Sequence, residues 1–251
     1  MTALFLRELQ NDQRLFWRSR EAAFFTFLLP IILLVLLGSV YGDNDEIEGV
    51  RATTYLLAGL LGYGVVSTAF ASLAISLVIR RESGVLKRIR GTPLPTAVYL
   101  AALIASTLIV VALEALAQVL IGRFLLDAEW PRSTESFIAA LALGSLAFAA
   151  LGLALTGAIR SAEGSSAVVN AVYLPATFIS GVFFSVEALP RVLEVVAEIL
   201  PLTYLLELIR DAFVEGNGLA SSPGAVLVLA GWGLAGALLA LRMFRWEPRE
   251  A

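Results

Sequence analysis

Residues 22–42 read AAFFTFLLPIILLVLLGSVYG, a stretch of 21 residues without one charged side chain. A helix rises about 1.5 Å per residue, so about 20 apolar residues cross the ~30 Å hydrocarbon core of a bilayer. Five further uncharged runs of 23–28 residues follow along the chain. Over all 251 residues, 59% are apolar and 16% are charged, whereas about a quarter are charged in an average soluble domain. The sequence therefore predicts an integral membrane protein.

The six runs predict an all-α integral membrane fold, with one transmembrane domain over residues 1–251. A membrane β-barrel is excluded because its strands alternate apolar and polar residues over about 10 positions. Residues 28–37, by contrast, are apolar throughout. The predicted spans lie at about 22–42, 52–79, 94–122, 136–159, 165–186 and 222–241.

The residue types that are absent exclude several kinds of chemistry. The chain has no histidine and no cysteine, which excludes disulfides, thiolate or imidazole metal sites, and Ser–His or Cys–His nucleophile pairs. Its only lysine, Lys87, does not stand in the Gly-Lys-Ser/Thr loop that holds ATP phosphates. No cofactor is therefore expected on this chain, and any ATP and magnesium that drive it must be bound by another chain. The net charge of −3 says nothing in favour of nucleic acid, and we expect no nucleic-acid partner.

Basic residues predict the orientation in the bilayer. With the N-terminus in the cytoplasm, 13 of the 18 lysine and arginine residues face the cytoplasm and 5 face outward. Cytoplasmic loops of membrane proteins carry the excess of basic residues, so this orientation is favoured. We therefore expect a multi-pass protein of the cell (inner) membrane with both termini in the cytoplasm.

The first 21 residues precede the first span and predict an interfacial helix. Five side chains recur at helical spacing: Leu6, Leu9, Gln13, Phe16 and Trp17. Charged residues, Asp12 among them, lie elsewhere on the helical wheel. Such a helix lies in the cytoplasmic interface with its aromatic side chains toward the lipid. The alternative is a solvated leader to the first span.

Segment 80–93, between the second and third spans, is short, basic and predicted to be helical. Val85, Leu86 and Ile89 fall on one helix face, and Gly91 is suited to ending the helix. A short helix with one apolar stripe, held by a span at either end, is suited to docking on a cytoplasmic partner. The alternative is an ordinary positively charged loop that happens to be helical.

The same segment resembles a known family. ESGVLKR at 82–88, with GTPL at 91–94, is similar to the E-x-G-T-L-x-R…T-P stretch of the permease subunits of type 2 ABC exporters, the multidrug and daunorubicin type. Val85 replaces the frequent threonine. The resemblance covers essentially the whole chain and continues at these places: Pro30, SGVFFSVEALP at 180–190, LPLTY at 200–204, and Arg210.

The resemblance implies a permease that works as a homodimer with two copies of a separate ATP-binding cassette ATPase. Segment 80–93 would be the coupling helix that sits in a cleft of the ATPase. The residues implied for this coupling are Arg81, Glu82, Gly84, Leu86, Lys87 and Arg88. The implied function is export of a hydrophobic or amphipathic compound by alternating access, the compound being drug-like, a lipid or a lipid-linked glycan. The chain itself would be a transporter subunit and not an enzyme.

Residues 187–215 are too charged to span the bilayer and too apolar to form only a solvent-exposed loop. Two amphipathic helical patterns meet at Pro201, each of about a dozen residues where about 20 are needed to cross. We expect a hairpin that dips into the outer leaflet and returns, and the resemblance implies re-entrant extracellular helices. The alternative is a pair of surface helices with no role in transport.

Glu114 is the one ionisable residue deep inside a predicted span, and Gln118 lies one turn further on. A carboxylate near the bilayer centre costs ~2.5–3.5 kcal/mol to insert, so Glu114 must face protein or water, or be protonated. It would be either a substrate contact or proton site, or part of a buried hydrogen-bonded pair between helices.

Aromatic side chains of the second and fifth spans are candidates for the path of an amphipathic substrate. They are Tyr55, Tyr63, Phe70, Tyr173, Phe178, Phe183 and Phe184. Two other functions stay open beside ATP-driven export. One is an ion-coupled secondary transporter that uses Glu114, and the other is a non-transporting membrane anchor for a cytoplasmic enzyme.

Overall fold

The structure is a computed structural model that describes residues 1–41 and 45–247. Within these residues the chain forms eleven α-helices and one short hairpin, so the predicted all-α character is confirmed. The helices are α1 (Thr2–Arg18), α2 (Arg20–Val40), α3 (Ala52–Val65), α4 (Leu73–Glu82), α5 (Val85–Arg90), α6 (Thr96–Leu126), α7 (Thr134–Thr156), α8 (Ala162–Ile179), α9 (Arg191–Ala197), α10 (Pro201–Val214) and α11 (Pro223–Met243). The hairpin pairs β1 (Glu46–Ile47) with β2 (Val50–Arg51). A π-helical segment, Val66–Ser72, joins α3 to α4 without a break, and the whole is called the α3–α4 helix below.

Five helices among the described residues are long and apolar enough to cross a membrane: α2, the α3–α4 helix, α6, α7 and α11. They correspond to five of the six predicted spans. The span predicted at 165–186 corresponds to α8, which contains Pro175, ends at Ile179 and is not among the five. Position 42 of the first predicted span, and 248–251 at the end of the predicted domain, lie outside the described residues. A multi-pass helical protein is thus supported, while a sixth span stays a prediction.

The α3–α4 helix is the most deeply buried of the five and forms the centre of the bundle. Helices α2, α6, α7 and α10 contact its first half, while α7 and α8 contact its second half. Its first half is apolar all the way round, and a helix of this kind can be buried on every side. The remaining helices are therefore arranged around this one.

Helix α7 approaches its neighbours closely because it carries glycine at the contacts. A Cβ added at Gly152 would lie 2.9 Å from the carbonyl oxygen of Phe70, and one at Gly144 would lie 2.5 Å from Cδ1 of Leu205. Small residues let helices come together in a membrane. These two glycines therefore set the spacing of α7 from the α3–α4 helix and from α10.

Residues 187–215, predicted to form a re-entrant hairpin, contain α9 and α10. The apolar face of α10 is buried against α3, α7 and α11, and Leu205, Leu206 and Phe213 are completely buried. Pro201 begins α10, and its 14 residues are too few to cross a bilayer. Helix α10 is therefore inserted into the bundle and is not a surface helix. The side of the membrane from which it enters stays a prediction.

Helix α1, which corresponds to the predicted interfacial helix, lies along α6. Gln13 Nε2 donates hydrogen bonds to the carbonyl oxygen and to Oγ of Ser106, at 3.0 and 2.9 Å. Ser19 leaves the helical conformation with ψ at 87°, and its Oγ accepts from the N–H of Ala22 at 3.4 Å. A serine in this position caps the following helix, so the chain bends here between α1 and α2.

A buried arginine joins the end of α4 to the end of α7. The guanidinium of Arg81 donates from Nη1 to the carbonyl oxygen of Thr156 at 2.8 Å and from Nη2 to that of Ile159 at 2.7 Å. Its Nε donates to Oε1 of Glu82 at 2.8 Å, and the residue is only 1% exposed. The last carbonyl groups of a helix have no partner within the helix and carry partial negative charge. The guanidinium therefore caps α7 and fixes α4 against it.

Replacing Arg81 with methionine keeps an unbranched stem and removes the guanidinium that forms the cap. Two carbonyl groups then lose charged donors, which we expect to cost ~2–5 kcal/mol of folding free energy. The Tm of the purified protein in detergent should fall by about 5–10 °C, measured by scanning fluorimetry. The matched control, Arg88→Met, changes an exposed arginine nearby and should shift the Tm by less than about 2 °C. An unchanged Tm for Arg81→Met would contradict the capping role.

Candidate functional site

Segment 80–93 consists of the end of α4, a tight turn and the short α5. Gly84 forms the turn with φ at +73°, a left-handed conformation that glycine adopts without strain. Helix α5 then covers Val85–Arg90, and Gly91 follows as its C-cap. The single helix expected over this segment is therefore two helices that meet at Gly84.

Helix α5 turns its apolar side toward the bundle. Leu86 is completely buried in the main hydrophobic core, and Ile89 packs partly buried against that core. Lys87 and Arg88 are exposed on the opposite side. Arg90 is also exposed and lies 3.6 Å from a carboxylate oxygen of Glu247. The exposed surface of α5 is therefore basic. The apolar stripe, which was expected to face a partner, packs instead against the core of this chain.

The six residues predicted for coupling divide accordingly. Arg81 and Leu86 are buried, and Glu82 is bonded to Arg81, so these side chains hold the segment in place. Gly84 supplies the turn. Of the six, Lys87 and Arg88 are the two exposed side chains. Contact of any of them with an ATPase stays a prediction.

Glu114 lies in a buried polar cluster between α6 and the π-helical segment. Its Oε2 accepts from Oγ1 of Thr68 at 3.0 Å, and its Oε1 accepts from Nε2 of Gln118 at 3.3 Å. A Cβ added at Gly64 would lie 2.5 Å from Oε1, so glycine makes room for the carboxyl group. Glu114 thus faces protein and meets two neutral donors, one on its own helix and one on the π-helical segment. Whether it serves as a substrate contact, a proton site or a structural contact stays a prediction. Thr68, which no sequence pattern singles out, lies in a π-helical segment of the kind often found at functional positions.

The predicted aromatic path separates into distinct groups. Phe70 and Tyr173 line one apolar cavity of about 380 Å³, together with side chains of α7 and α11. The ring of Tyr63 lies 6.4 Å from that of Tyr173, measured between centroids. Phe178 and Phe183 form a second pair at 5.3 Å.

The other two aromatic residues of the predicted path lie apart from these groups. Phe184 is half-buried in the turn after α8. The ring of Tyr55 lies under the guanidinium of Arg210, 3.9 Å from its Cζ. Both Tyr55 and Arg210 donate to the carbonyl oxygen of Gly181. The contact between Tyr55 and Arg210 joins α10 to the first turn of α3. A common substrate path through all seven aromatic residues stays a prediction.

A second polar contact, at the level of segment 80–93, was not anticipated. Asp12, expected on the polar face of α1, is instead 4% exposed, and its Oδ1 lies 2.7 Å from Nη1 of Arg80. The same Nη1 donates to the hydroxyl of Tyr99 at 3.1 Å. Burial raises the pKa of Asp12, and the nearby Arg80 guanidinium lowers it in part. The ring of Trp246 lies 5.9 Å from that of Tyr99, so the chain after α11 also reaches this contact.

The arrangement is suited to binding and movement. Among residues 1–41 and 45–247, no group of three histidine, cysteine or acidic side chains is placed to hold a metal ion. Lys87 and Arg88 form a basic surface that complements an acidic partner. The cavity beside Phe70 and Tyr173 complements an apolar ligand.

Comparison with known proteins identifies the family. The model of the ABC-2 type transporter family matches residues 2–214. A putative transport permease of Bacillus subtilis, YvfS, is 24% identical over 73% of this chain and 75% of its own length. Nodulation protein J of Sinorhizobium fredii is 26% identical over 77% of this chain and 74% of its own length. A probable multidrug ABC transporter permease of Escherichia coli, YbhS, is 24% identical over 61% of this chain and 41% of its own length.

The family match covers most of the chain, and five helices are long and apolar enough to cross a membrane. Two of the three relatives are named as permeases. The predicted family resemblance is thereby confirmed. The chain belongs to the ABC-2 type transporter family and is a membrane subunit of an ABC transporter.

Proposed function

We propose that this chain is the permease of an ABC exporter, working as a homodimer with two copies of a separate ATPase that binds ATP and magnesium. The observation that carries the proposal is the basic surface of α5, held against the bundle by the buried Leu86 and Arg81. A short exposed helix on a rigid support is suited to transmitting movement from a partner. The partner surface should be acidic, because it meets Lys87 and Arg88.

The support explains how movement at α5 would reach the transport path. Arg81 fixes the end of α4 to the end of α7, so a displacement of α5 moves both helices. The α3–α4 helix and α7 both line the apolar cavity beside Phe70. ATP-dependent closure of the ATPases would then shift the equilibrium between inward-open and outward-open states.

The substrate we propose is a hydrophobic or amphipathic compound, drug-like, a lipid or a lipid-linked glycan. The cavity of about 380 Å³ is lined almost entirely by apolar side chains, which supports this substrate class. The name of the Escherichia coli relative, a probable multidrug permease, supports it as well. The distribution of basic residues supports a cytoplasmic α5. Export from the cell across the inner membrane is the direction that we propose for the transport.

Charge reversal on the exposed face of α5 tests the coupling. In the variant Lys87→Glu with Arg88→Glu, like charges would meet an acidic ATPase surface at a cost of several kcal/mol. We expect retention of the ATPase in pull-down assays and ATP-dependent dye efflux from vesicles to fall at least about tenfold. The control, Arg14→Glu, reverses an exposed charge on α1 and should change neither. Normal efflux by the double variant would overturn the assignment, whereas Leu86→Asp would not test docking, since Leu86 is buried.

The orientation is tested with accessibility tags. Tags at Ser83 and Ser165 should be protected in intact cells, and tags at Thr134 and Asn217 should be labelled by an impermeant reagent. We expect this labelling pattern because the basic residues of segment 80–93 should lie in the cytoplasm. Labelling at Ser83 in intact cells would reverse the orientation and remove the docking argument with it.

Glu114→Gln distinguishes ATP-driven export from ion-coupled transport. The amide still accepts from Thr68, and its NH₂ can donate to Gln118 after a side-chain flip, so at most ~0.6–2 kcal/mol of helix contact is lost. We expect this variant to keep most of its ATP-dependent efflux with the proton gradient collapsed by an ionophore. Thr68→Val is the matched control for a packing defect in the same cluster. Efflux that ignores ATP, and that stops with the gradient or with Glu114→Gln, would favour the secondary transporter.

A further inference from the structure

A cleft separates α1 from α4, close to α5. The cavity in this cleft measures about 390 Å³ and has α6 as its third wall. Leu15 of α1 and Ile79 of α4 line its opposite sides and are 57% and 48% exposed, so the cleft opens between two apolar rims. Helix α1 is attached to α6 by the hydrogen bonds of Gln13 to Ser106. On its side toward α4, the bond found among the described residues is one ion pair.

That ion pair, between Asp12 and Arg80, crosses the cleft and leaves one carboxylate oxygen unused. Oδ1 of Asp12 lies 2.7 Å from Arg80, whereas Oδ2 is buried without a hydrogen-bond partner among the described residues. Asp12 lines the cavity. A buried carboxylate oxygen without a donor costs free energy, so a donor supplied by a bound molecule would be stabilising.

Arg80 provides the complementary half of the site. Its side chain lines the same cavity and is 20% exposed. Nη1 is engaged by Asp12 and Tyr99, and the guanidinium carries further N–H donors on Nη2 and Nε. A guanidinium is well suited to binding a phosphate group. A carboxylate oxygen without a donor, beside a guanidinium, therefore complements a ligand group that carries both an ammonium and a phosphate.

The rest of the cavity complements a hydrocarbon chain. Its walls include Phe16 of α1, Leu73 of α4, and Leu103 and Val110 of α6. Arg80 directly follows the apolar run of the second predicted span, so the charged end lies near the headgroups and the apolar walls extend into the hydrocarbon. The ion pair thus provides the charged part of the cavity, and the other walls are mainly apolar with hydroxyl side chains among them: Ser19, Thr68, Ser72, Ser76, Ser106 and Thr107.

We propose that this cleft binds one phospholipid whose headgroup carries a phosphate and a primary ammonium, as in phosphatidylethanolamine. The ammonium donates to Oδ2 of Asp12, the phosphate accepts from Arg80, and one acyl chain lies along the apolar walls. The lipid comes from the leaflet on the side of α5. The site does not depend on the ATPase or on the transported compound, so it goes beyond the function proposed above.

The test is native mass spectrometry of the purified full-length protein in detergent. It is offered equal amounts of phosphatidylethanolamine and phosphatidylcholine with identical acyl chains. The two heads have the same net charge, but choline has no N–H to donate. Phosphatidylethanolamine adducts should exceed phosphatidylcholine adducts at least about tenfold, as expected for one charge-assisted hydrogen bond. Equal adducts, or stronger binding of phosphatidylglycerol, which has a phosphate but no amine, would overturn the proposal.

Variants locate the preference. Asp12→Asn should bring the ratio of the two adducts close to one, while Glu21→Gln, which changes an exposed acid, should leave it unchanged. Ser72→Phe, on the wall of the cleft, should fill the cavity and lower both adducts without removing a charged group. A preference that survives both Asp12→Asn and Ser72→Phe would show that the lipid binds elsewhere. If Asp12→Asn does not fold, the ratio of the two lipid adducts on the wild-type protein and the result for Ser72→Phe still test the proposal. Neither measurement uses nucleotide or the ATPase, so failure here is distinct from failure of the proposed export function.

Discussion

The guanidinium of Arg81, which binds the last carbonyl group of α7 and that of Ile159 just beyond the helix, is the contact on which the functional arrangement depends. An unpaired charge inside a helical bundle is costly, and the carbonyl dipole at the end of α7 and the carboxylate of Glu82 together compensate it here. The consequence is mechanical, because α4 and α7 end at one shared point. Helix α11 extends this unit, since it packs along α7 with glycines at the contact: a Cβ at Gly236 would lie 2.8 Å from the backbone nitrogen of Leu151.

The sequence predicts most of the long helices because a bilayer requires both length and apolarity, and both are visible in composition. It overestimates α8, where the apolar run continues to residue 186 but the helix ends at Ile179. Gly181, with φ at +87°, turns the chain immediately afterwards, and its carbonyl oxygen accepts from Tyr55 and Arg210. Hydropathy cannot distinguish this buried turn from another helical turn, because both are apolar and both satisfy their backbone groups inside the protein.

The candidate site was predictable in position but not in orientation. Helical spacing places Val85, Leu86 and Ile89 on one face, yet spacing alone does not tell whether that face meets the bundle or a partner. The two carbonyl groups that Arg81 binds lie more than seventy residues away in sequence, and the partner of Asp12 lies 68 residues away by their numbering, so no local pattern predicts these contacts. Asp12 lies three residues after Leu9 and four before Phe16, and this helical spacing is the signal that could have placed it beside the apolar side chains.

Three buried ionisable side chains are accommodated in three ways, and the differences indicate which contacts can rearrange. Arg81 meets backbone carbonyls that are fixed by α7, and Glu114 meets the side chains of Thr68 and Gln118 within the core. Asp12 meets a single side chain across an open cleft and keeps one oxygen unused. The cleft also separates α1 from α4, which forms a unit with α7. If that unit moves with α5, the ion pair of Asp12 must lengthen or turn, whereas the cap of Arg81 travels with the helices that it joins.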